Sequence, residues 1–76
     1  MNGAEQPVSL TQLEREIVTL LAGGHSVEEI ARTLSKAPRT VKRDIAACRQ
    51  KLNARNNAQL VAIAVSSGGL LISGQP

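Results

Sequence analysis

Six cationic side chains lie between residues 39 and 55, and the only carboxylate among them is Asp44. The cations are Arg39, Lys42, Arg43, Arg49, Lys51 and Arg55. Guanidinium and ammonium groups at this density neutralise phosphates and donate hydrogen bonds to them. A solvated helix face with no ligand would explain part of the cluster. A polyanion ligand explains it better, and nucleic acid is the expected one.

Charge is distributed unevenly along the 76 residues. The first 34 residues carry two cations and five carboxylates, a net charge of −3, whereas the remainder carries seven cations and one carboxylate, a net charge of +6. The chain contains no Phe, Tyr or Trp, the side chains on which RNA and single-stranded bases commonly stack. Duplex DNA is therefore the expected partner of a single small domain.

The sequence lacks the sets of residues that catalysis, metal binding or a phosphate-binding loop would require. The chain has one histidine, His25, and one cysteine, Cys48, with neither metal-ligand spacing nor an evident acid partner. Gly23 and Gly24 lack the following spacing of a phosphate-binding loop. We expect no enzyme activity, metal, cofactor or small-molecule ligand. A lone cysteine on an apolar stripe indicates a reducing cytoplasm. A reactive thiol, and a ligand or pH-sensing role for His25, are the less favoured alternatives.

The segment from Ser26 to Leu52 predicts two helices joined by a tight turn. Ser26 and Glu29 have the spacing of a capping box, and residues 35–37 form the turn before Pro38, which suits a first helical turn. The apolar stripes are Val27, Ile30, Ala31 and Leu34 on one helix and Val41, Ile45, Cys48 and Leu52 on the other. The residues off the second stripe, toward solvent or a ligand, are Arg39, Lys42, Arg43 and Ala46. This is the layout of a helix-turn-helix.

A further helix is predicted before this pair, over residues 11–22. Thr11 and Glu14 repeat the capping-box spacing, and Gly23 and Gly24 supply the left-handed conformation that ends a helix. The expected buried face comprises Leu13, Ile17, Leu20 and Leu21.

The fourth predicted helix, residues 57–66 with Asn56 as N-cap, is apolar on nearly every side. A surface helix of a small domain needs one apolar stripe, so this helix has more apolar surface than its own core can cover. We expect the surplus to contact the same helix of a second copy. The alternative is that Leu70, Leu71 and Ile72 fold back over it.

Four segments together carry a family resemblance: LTQLEREIVTLLAGG, SVEEIARTL, PRTVKRDI and KLNARNNAQLVAIA. In them the chain resembles the LuxR/FixJ/GerE-type DNA-binding domain of bacterial transcription regulators. EIA followed by TVK alone would also fit region 4 of bacterial sigma factors; KLxxRxxAQL makes the combination specific. The resemblance implies an all-α, four-helix domain over residues 10–72 with a helix-turn-helix at about 26–45. Residues 1–9 are expected to be a flexible lead-in and 73–76 a frayed tail.

The resemblance also implies that the helix beginning at Pro38 lies in the major groove. Arg43 or Lys42 would reach guanine O6 and N7, while Thr40 and the N-termini of helices two and three would bind phosphate. Lys51 is expected at phosphate or in water. The predicted DNA-binding residues are Ser26, Arg39, Thr40, Lys42, Arg43, Ala46 and Arg49. The predicted dimer interface comprises Leu60, Val61, Ala64 and Val65.

Four positions depart from the family pattern. Ala37 stands where a capping Ser is frequent, and Asn57 where Arg is common. Lys36 replaces a usual aliphatic residue, and Asp44 occupies a position often held by His. A carboxylate close to DNA would be repelled unless it is paired. Its expected partners are Thr40, Lys51 or a cytosine amino group.

The favoured function is a sequence-specific transcriptional regulator that binds duplex DNA as a homodimer, with half-sites about one helical turn apart. The alternative is an adaptor that binds a sigma factor, RNA polymerase or another regulator through helix four and the C-terminal tail, with weak DNA binding. RNA polymerase is a further candidate partner of the regulator. Met1 favours a stand-alone protein. Without an apolar span or signal pattern, a bacterial cytoplasmic, nucleoid-bound protein is expected.

Overall fold

The computed structural model describes residues 10–66 as four α-helices. They are α1 (Gln12–Ala22), α2 (Val27–Leu34), α3 (Pro38–Leu52) and α4 (Asn57–Ser66). No strand occurs in this described part, which confirms the all-α prediction. The lead-in, the tail from Leu70 to Ile72 and the frayed end fall outside the described residues, so the domain bounds stay predictions.

The first two helices begin with capping boxes, as their sequences predict. The Thr11 hydroxyl accepts a hydrogen bond from the Glu14 backbone N–H at 3.1 Å, and the Thr11 N–H donates to the Glu14 carboxylate at 2.8 Å. Ser26 and Glu29 make the same two bonds at 3.1 and 2.8 Å. Ala37 at the N-cap of α3 has no side-chain acceptor. The free N–H groups at the start of α3 therefore have no such partner.

Left-handed residues end α2 and α3. Ser35 has φ 56° and Asn53 has φ 56°, both outside the range that most side chains favour. After each of them the chain turns back and caps the helix: the Lys36 N–H donates to Ala31 O, and the Ala54 N–H donates to Arg49 O, both at 2.8 Å. At the end of α1 only Gly24, φ 91°, is left-handed. The prediction of the same conformation for Gly23 is wrong, since its φ is −79°.

The core draws on all four helices. α1 and α3 each pack against the other three helices, and α2 and α4 lie apart from each other. This arrangement holds α3 by three neighbours and leaves one long face of it free. The buried apolar residues are Leu10, Ile17, Val18, Ile30, Ala31, Val41, Ile45, Cys48, Leu60 and Ala64.

On α1 the predicted buried face is wrong at Leu13, which is 40% exposed. At about 100° per residue, the first-turn position in line with Ile17, Val18 and Leu21 is Glu14, not Leu13. Glu14 occupies this place because its carboxylate finds a cation, Lys51, on α3. A pattern of apolar residues alone does not reveal that a carboxylate takes this position in place of an apolar side chain.

The surface of α4 differs from the predicted dimer interface at two residues. Leu60 and Ala64 are 0% and 1% exposed in the domain's own core, so their assignment to an interface with a second copy does not fit. Val61 is half-buried, and Val65 is 37% exposed. The apolar surface that α4 presents is therefore narrower than its sequence indicates. No helix in residues 10–66 has both the length and the apolar character needed to cross a bilayer.

Candidate nucleic-acid interface

One face of α3 is turned to solvent along its whole length. Its exposed residues are Arg39, Lys42, Arg43, Ala46 and Gln50. The spacing of three and four residues places their side chains on one side of the helix. The structure thus brings four of the predicted DNA-binding residues together. It adds Gln50, which the sequence analysis missed and which the same helical spacing, continued past Ala46, would have found.

The cations in the first half of this face have no partner within the described part of the chain. Arg39, Lys42 and Arg43 are all exposed, and their charged groups make no hydrogen bond or ion pair with residues 10–66. Thr40 is half-buried beside them. The first turn of α3 contains no carboxylate. Charge and free backbone N–H groups therefore coincide at one helix end, the arrangement that attracts phosphate.

Asp44 has a protein partner, and it is none of those expected. The Lys36 ammonium lies 2.8 Å from the Asp44 carboxylate, so Thr40 and Lys51 are not the residues that neutralise it. Spacing within α3 does not reveal this pair, because Lys36 belongs to the turn before α3. Its position relative to α3 depends on the left-handed Ser35.

Lys51 has a partner within the protein, which the sequence did not predict. Its ammonium contacts both carboxylate oxygens of Glu14, at 2.7 and 2.8 Å. Burial would raise the pKa of the Glu14 carboxyl, but the hydrogen bonds from Lys51 and Thr11 outweigh it and hold that pKa below its usual value. Lys51 therefore fastens α3 to α1.

Arg49 is half-buried and partly engaged. One of its guanidinium nitrogens donates to the Asn57 side-chain oxygen at 2.9 Å, joining α3 to the start of α4. A guanidinium has five N–H donors, so this bond leaves others for a ligand. Its assignment to DNA remains a prediction.

A groove of about 630 Å³ runs beside Arg49 where α3 ends and the chain turns into α4. Its lining residues are Arg43, Ala46, Ala47, Arg49, Gln50, Asn53, Ala54 and Arg55. Three of these lining residues are alanines and three are arginines. Arg55 is not among the predicted site residues; the reversal of the chain at Asn53 brings it to the groove that Arg43 also lines.

Ser26 lies exposed at the N-cap of α2. Its hydroxyl oxygen accepts the Glu29 N–H, which leaves the hydroxyl proton for a ligand. Glu28 and Glu29 follow in the first helical turn. The backbone N–H of Ser26 lowers the pKa of the Glu29 carboxyl, which keeps it charged. Carboxylates so placed oppose phosphate binding, and the role of Ser26 stays a prediction.

The two other reactive side chains are explained by the fold. Cys48 is fully buried, and burial raises the pKa of its thiol to about 11. His25 lies exposed in the bend after α1, with Nδ1 3.1 Å from Leu20 O. Within the described ranges, no three His, Cys, Asp or Glu side chains are grouped so as to hold a metal ion.

A helix-turn-helix with a free cationic face on its second helix is thus established by geometry. The family model of the bacterial regulatory proteins of the luxR family, GerE, matches residues 8–64. The chain belongs to the LuxR family. This match confirms the family resemblance noted in the sequence. LuxR-family proteins of this kind are DNA-binding regulators of transcription and not enzymes.

Solved structures of LuxR-type proteins have the same fold. Transcription factor GerE has a TM-score of 0.79 at 32% identity, over 82% of this chain and 92% of that chain. The Vibrio cholerae VqmA dimer, described without its target DNA, has a TM-score of 0.78 at 29% identity, over 90% of this chain and 30% of that one.

A phage VqmA–DPO complex has a TM-score of 0.73 at 33% identity, over 86% of this chain and 31% of that chain. The LuxR-family domain described here therefore spans nearly all of GerE but less than a third of either VqmA chain. None of the curated proteins compared with the chain matches it.

Proposed function

We propose that this LuxR-family domain binds specific sequences of duplex DNA by placing the exposed face of α3 in the major groove. The observation that carries the proposal is that Arg39, Lys42 and Arg43 share one exposed face without a protein partner among residues 10–66. A major groove admits one α-helix, and its base edges present a distinct pattern for each base pair. In the cell, the protein binds at promoters and is associated with the bacterial nucleoid when it is bound.

The contacts divide by chemistry into two kinds. Arg43 and Lys42 carry donors suited to guanine O6 and N7, and Ala46 suits the thymine methyl group. Gln50 has the amide that pairs with the adenine edge. Arg39, with the free N–H groups at the start of α3, is placed for phosphate.

The groove between α3 and α4 extends this surface to a second phosphate. Arg55 is exposed and its guanidinium has no partner within residues 10–66, while Arg49 keeps donors beyond its bond to Asn57. Phosphate contacts fix the position of a protein on DNA without selecting a sequence. We therefore assign Arg55 and Arg49 to affinity, and Arg43 to sequence preference.

The protein acts as a homodimer through the exposed side of α4. Val65 is 37% exposed, and Ala58 and Ala62 are exposed on the same side of the helix, next to the half-buried Val61. An apolar strip of this kind suits self-association. The Vibrio cholerae VqmA structure is described as a dimer in the absence of its target DNA, which supports the same assembly here. Two copies would contact half-sites about one helical turn apart.

The test of sequence-specific binding is selection from a pool of random duplex DNA by the purified chain at near-physiological salt. Enrichment of a two-part, nearly palindromic motif is expected. Affinity for that motif should fall steeply with salt concentration because phosphate contacts release counterions. A folded chain that enriches no sequence would refute the proposal.

The dimer has its own test in sedimentation. Ala62→Glu with Val65→Glu adds two charges to the exposed strip, and we expect monomers. The matched control, Gln59→Glu with Ser66→Glu, adds the same charge to the polar side of α4, and dimers should persist. A dimer that survives the first pair would place the interface elsewhere.

The adaptor remains the second candidate, favoured by the exposed apolar strip on α4. It predicts weak, sequence-independent DNA binding and stable binding to RNA polymerase or a sigma factor. Asp44 no longer supports it, since Lys36 neutralises that carboxylate. The selection experiment separates the two functions, because an adaptor would enrich no motif.

A further inference from the structure

Two departures from the family pattern meet as one ion pair. The Nζ atom of Lys36 lies 2.8 Å from Oδ2 of Asp44, with 22% and 26% of the two side chains exposed. Lys36 stands where an aliphatic residue is usual, and Asp44 where His is frequent. Either charge alone would be costly at a half-buried place near DNA. Together the two charges compensate each other.

The backbone holds Lys36 in the position from which it reaches α3. Ser35 is left-handed, and the Lys36 N–H donates to Ala31 O at 2.8 Å, which ties the residue to the last turn of α2. Its side chain then crosses to Asp44, two turns into α3. This is the only side-chain hydrogen bond between residues 35–37 and α3 in the described part of the chain. The N-cap residue Ala37 supplies none.

The position of Asp44 makes this bond relevant to DNA. Asp44 directly follows Arg43, a residue of the cationic face, and lies one turn after Thr40. An unpaired carboxylate there would repel phosphate and offset one of the three free cations. With Lys36 bound, the carboxylate is neutralised and the face keeps its full positive charge.

We propose that Lys36 and Asp44 form a unit with two roles: Lys36 neutralises the carboxylate, so that the exposed face of α3 keeps its positive charge for DNA binding, and the ion pair ties α3 to the turn and stabilises the fold. The proposal rests on the DNA-binding function proposed above. In this arrangement Lys36 acts through Asp44 and not through a phosphate, and Asp44 contacts no base. Both statements distinguish the unit from a pair of ordinary DNA contacts.

The experiment is a double-mutant cycle with Lys36→Met, Asp44→Asn and both together, on the duplex selected by the wild-type chain. Methionine keeps the apolar stem of lysine without its charge. We expect Lys36→Met to weaken binding about tenfold, since it exposes the carboxylate. Asp44→Asn should bind at least as tightly as wild type. The double variant should return to within about threefold of wild type.

Two results of the binding measurements would overturn the unit. A double variant as weak as Lys36→Met would show that Lys36 contacts phosphate directly, and the slope of log affinity against log salt would then fall by about one. A motif changed at one base pair by Asp44→Asn would show that Asp44 contacts a base. The predicted result is an unchanged motif and an unchanged salt slope in the double variant.

Thermal unfolding of the same variants without DNA separates this proposal from the proposed function. Each single variant should lower Tm by about 3 °C, and the double by less than the sum of the two. If the wild-type chain selects no DNA but this coupling is present, the function fails and the structural half of the unit stands. Additive Tm changes would overturn the unit itself.

Discussion

The two halves of α3 carry the same kinds of cation and use them differently. In the first half, Arg39, Lys42 and Arg43 are exposed and without a partner within residues 10–66. In the second half, Lys51 is bound by Glu14 and Arg49 donates to Asn57. Whether a cation serves a ligand or the fold thus depends on the helix opposite it. Charge density along the sequence does not distinguish these cases.

The largest expected effect comes from a cation in the first half of α3, where the cations have no partner within residues 10–66. Arg43→Ala should weaken binding to the selected duplex by about 10- to 100-fold, since a guanine contact is worth about 1–3 kcal/mol. Tm should stay unchanged because Arg43 has no partner to lose. Titration of labelled duplex and thermal unfolding measure the two quantities.

The control is Arg32→Ala, which removes the same charge from an exposed residue of α2, outside the exposed face of α3. Its binding should change less than about threefold. Equal losses on the selected and random duplexes would show instead that Arg43 contacts only phosphate.

The next largest effect is expected at Lys51, in the second half of α3. The variants compared are Lys51→Met and, as its match in the first half, Lys42→Met. Lys51→Met leaves Glu14, whose side chain is 14% exposed, without its cation. We expect a loss of about 1 kcal/mol in the free energy of unfolding, a modest value because solvent at Lys51 screens the pair. Lys42→Met should leave stability unchanged.

DNA affinity should follow the opposite order for this pair. Lys42→Met should weaken binding, whereas Lys51→Met should change it by less than about threefold in a chain that remains folded. The comparison would break if Lys51→Met weakened binding as much as Lys42→Met did.

A third effect is the pH dependence of the stability that the Glu14–Lys51 ion pair contributes. The pKa of Glu14 is lowered from 4.5 in the folded chain, so its ionised form stabilises the fold above about pH 4.5. This contribution is lost as pH falls through the lower folded pKa. Glu14→Gln keeps a capping side chain without the charge. The Tm difference between wild type and this variant should therefore shrink from about pH 6 to about pH 3; a constant difference would contradict the assignment.

The smallest effect concerns the left-handed residues that flank α3. Ser35→Gly should stabilise the fold by about 0.5–1 kcal/mol, because glycine adopts positive φ without steric cost. Asn53→Gly should gain less, since Asn tolerates this conformation better than Ser does. Calorimetry would measure both gains. A loss at Ser35 would mean that its side chain has a role that its conformation does not show.

The sequence predicted the features that depend on neighbouring residues. The two capping boxes, at Thr11 and Ser26, and the α3 stripe of Val41, Ile45 and Cys48 follow from spacing within one helix. Spacing within one helix also placed Arg39, Lys42, Arg43 and Ala46 on one face.

The pairings between elements could not be predicted in the same way. Glu14 and Lys51 are 37 residues apart, and Lys36 meets Asp44 only because Ser35 turns the chain. The burial of Leu60 likewise depends on how α4 docks on the core. Spacing within α4 gives its apolar residues but not which of them face α1 and α3.

The most direct test of the central claim is the change in backbone amide and arginine Nε–H NMR signals as the selected duplex is added to the labelled chain. The claim is that the exposed face of α3 contacts DNA, whereas Lys51, which is bound to Glu14, serves the fold. We predict the largest shifts at Arg39, Lys42, Arg43 and Gln50, with little change at Glu14. Largest shifts on α4 or at the start of α2, with the α3 signals unmoved, would contradict it.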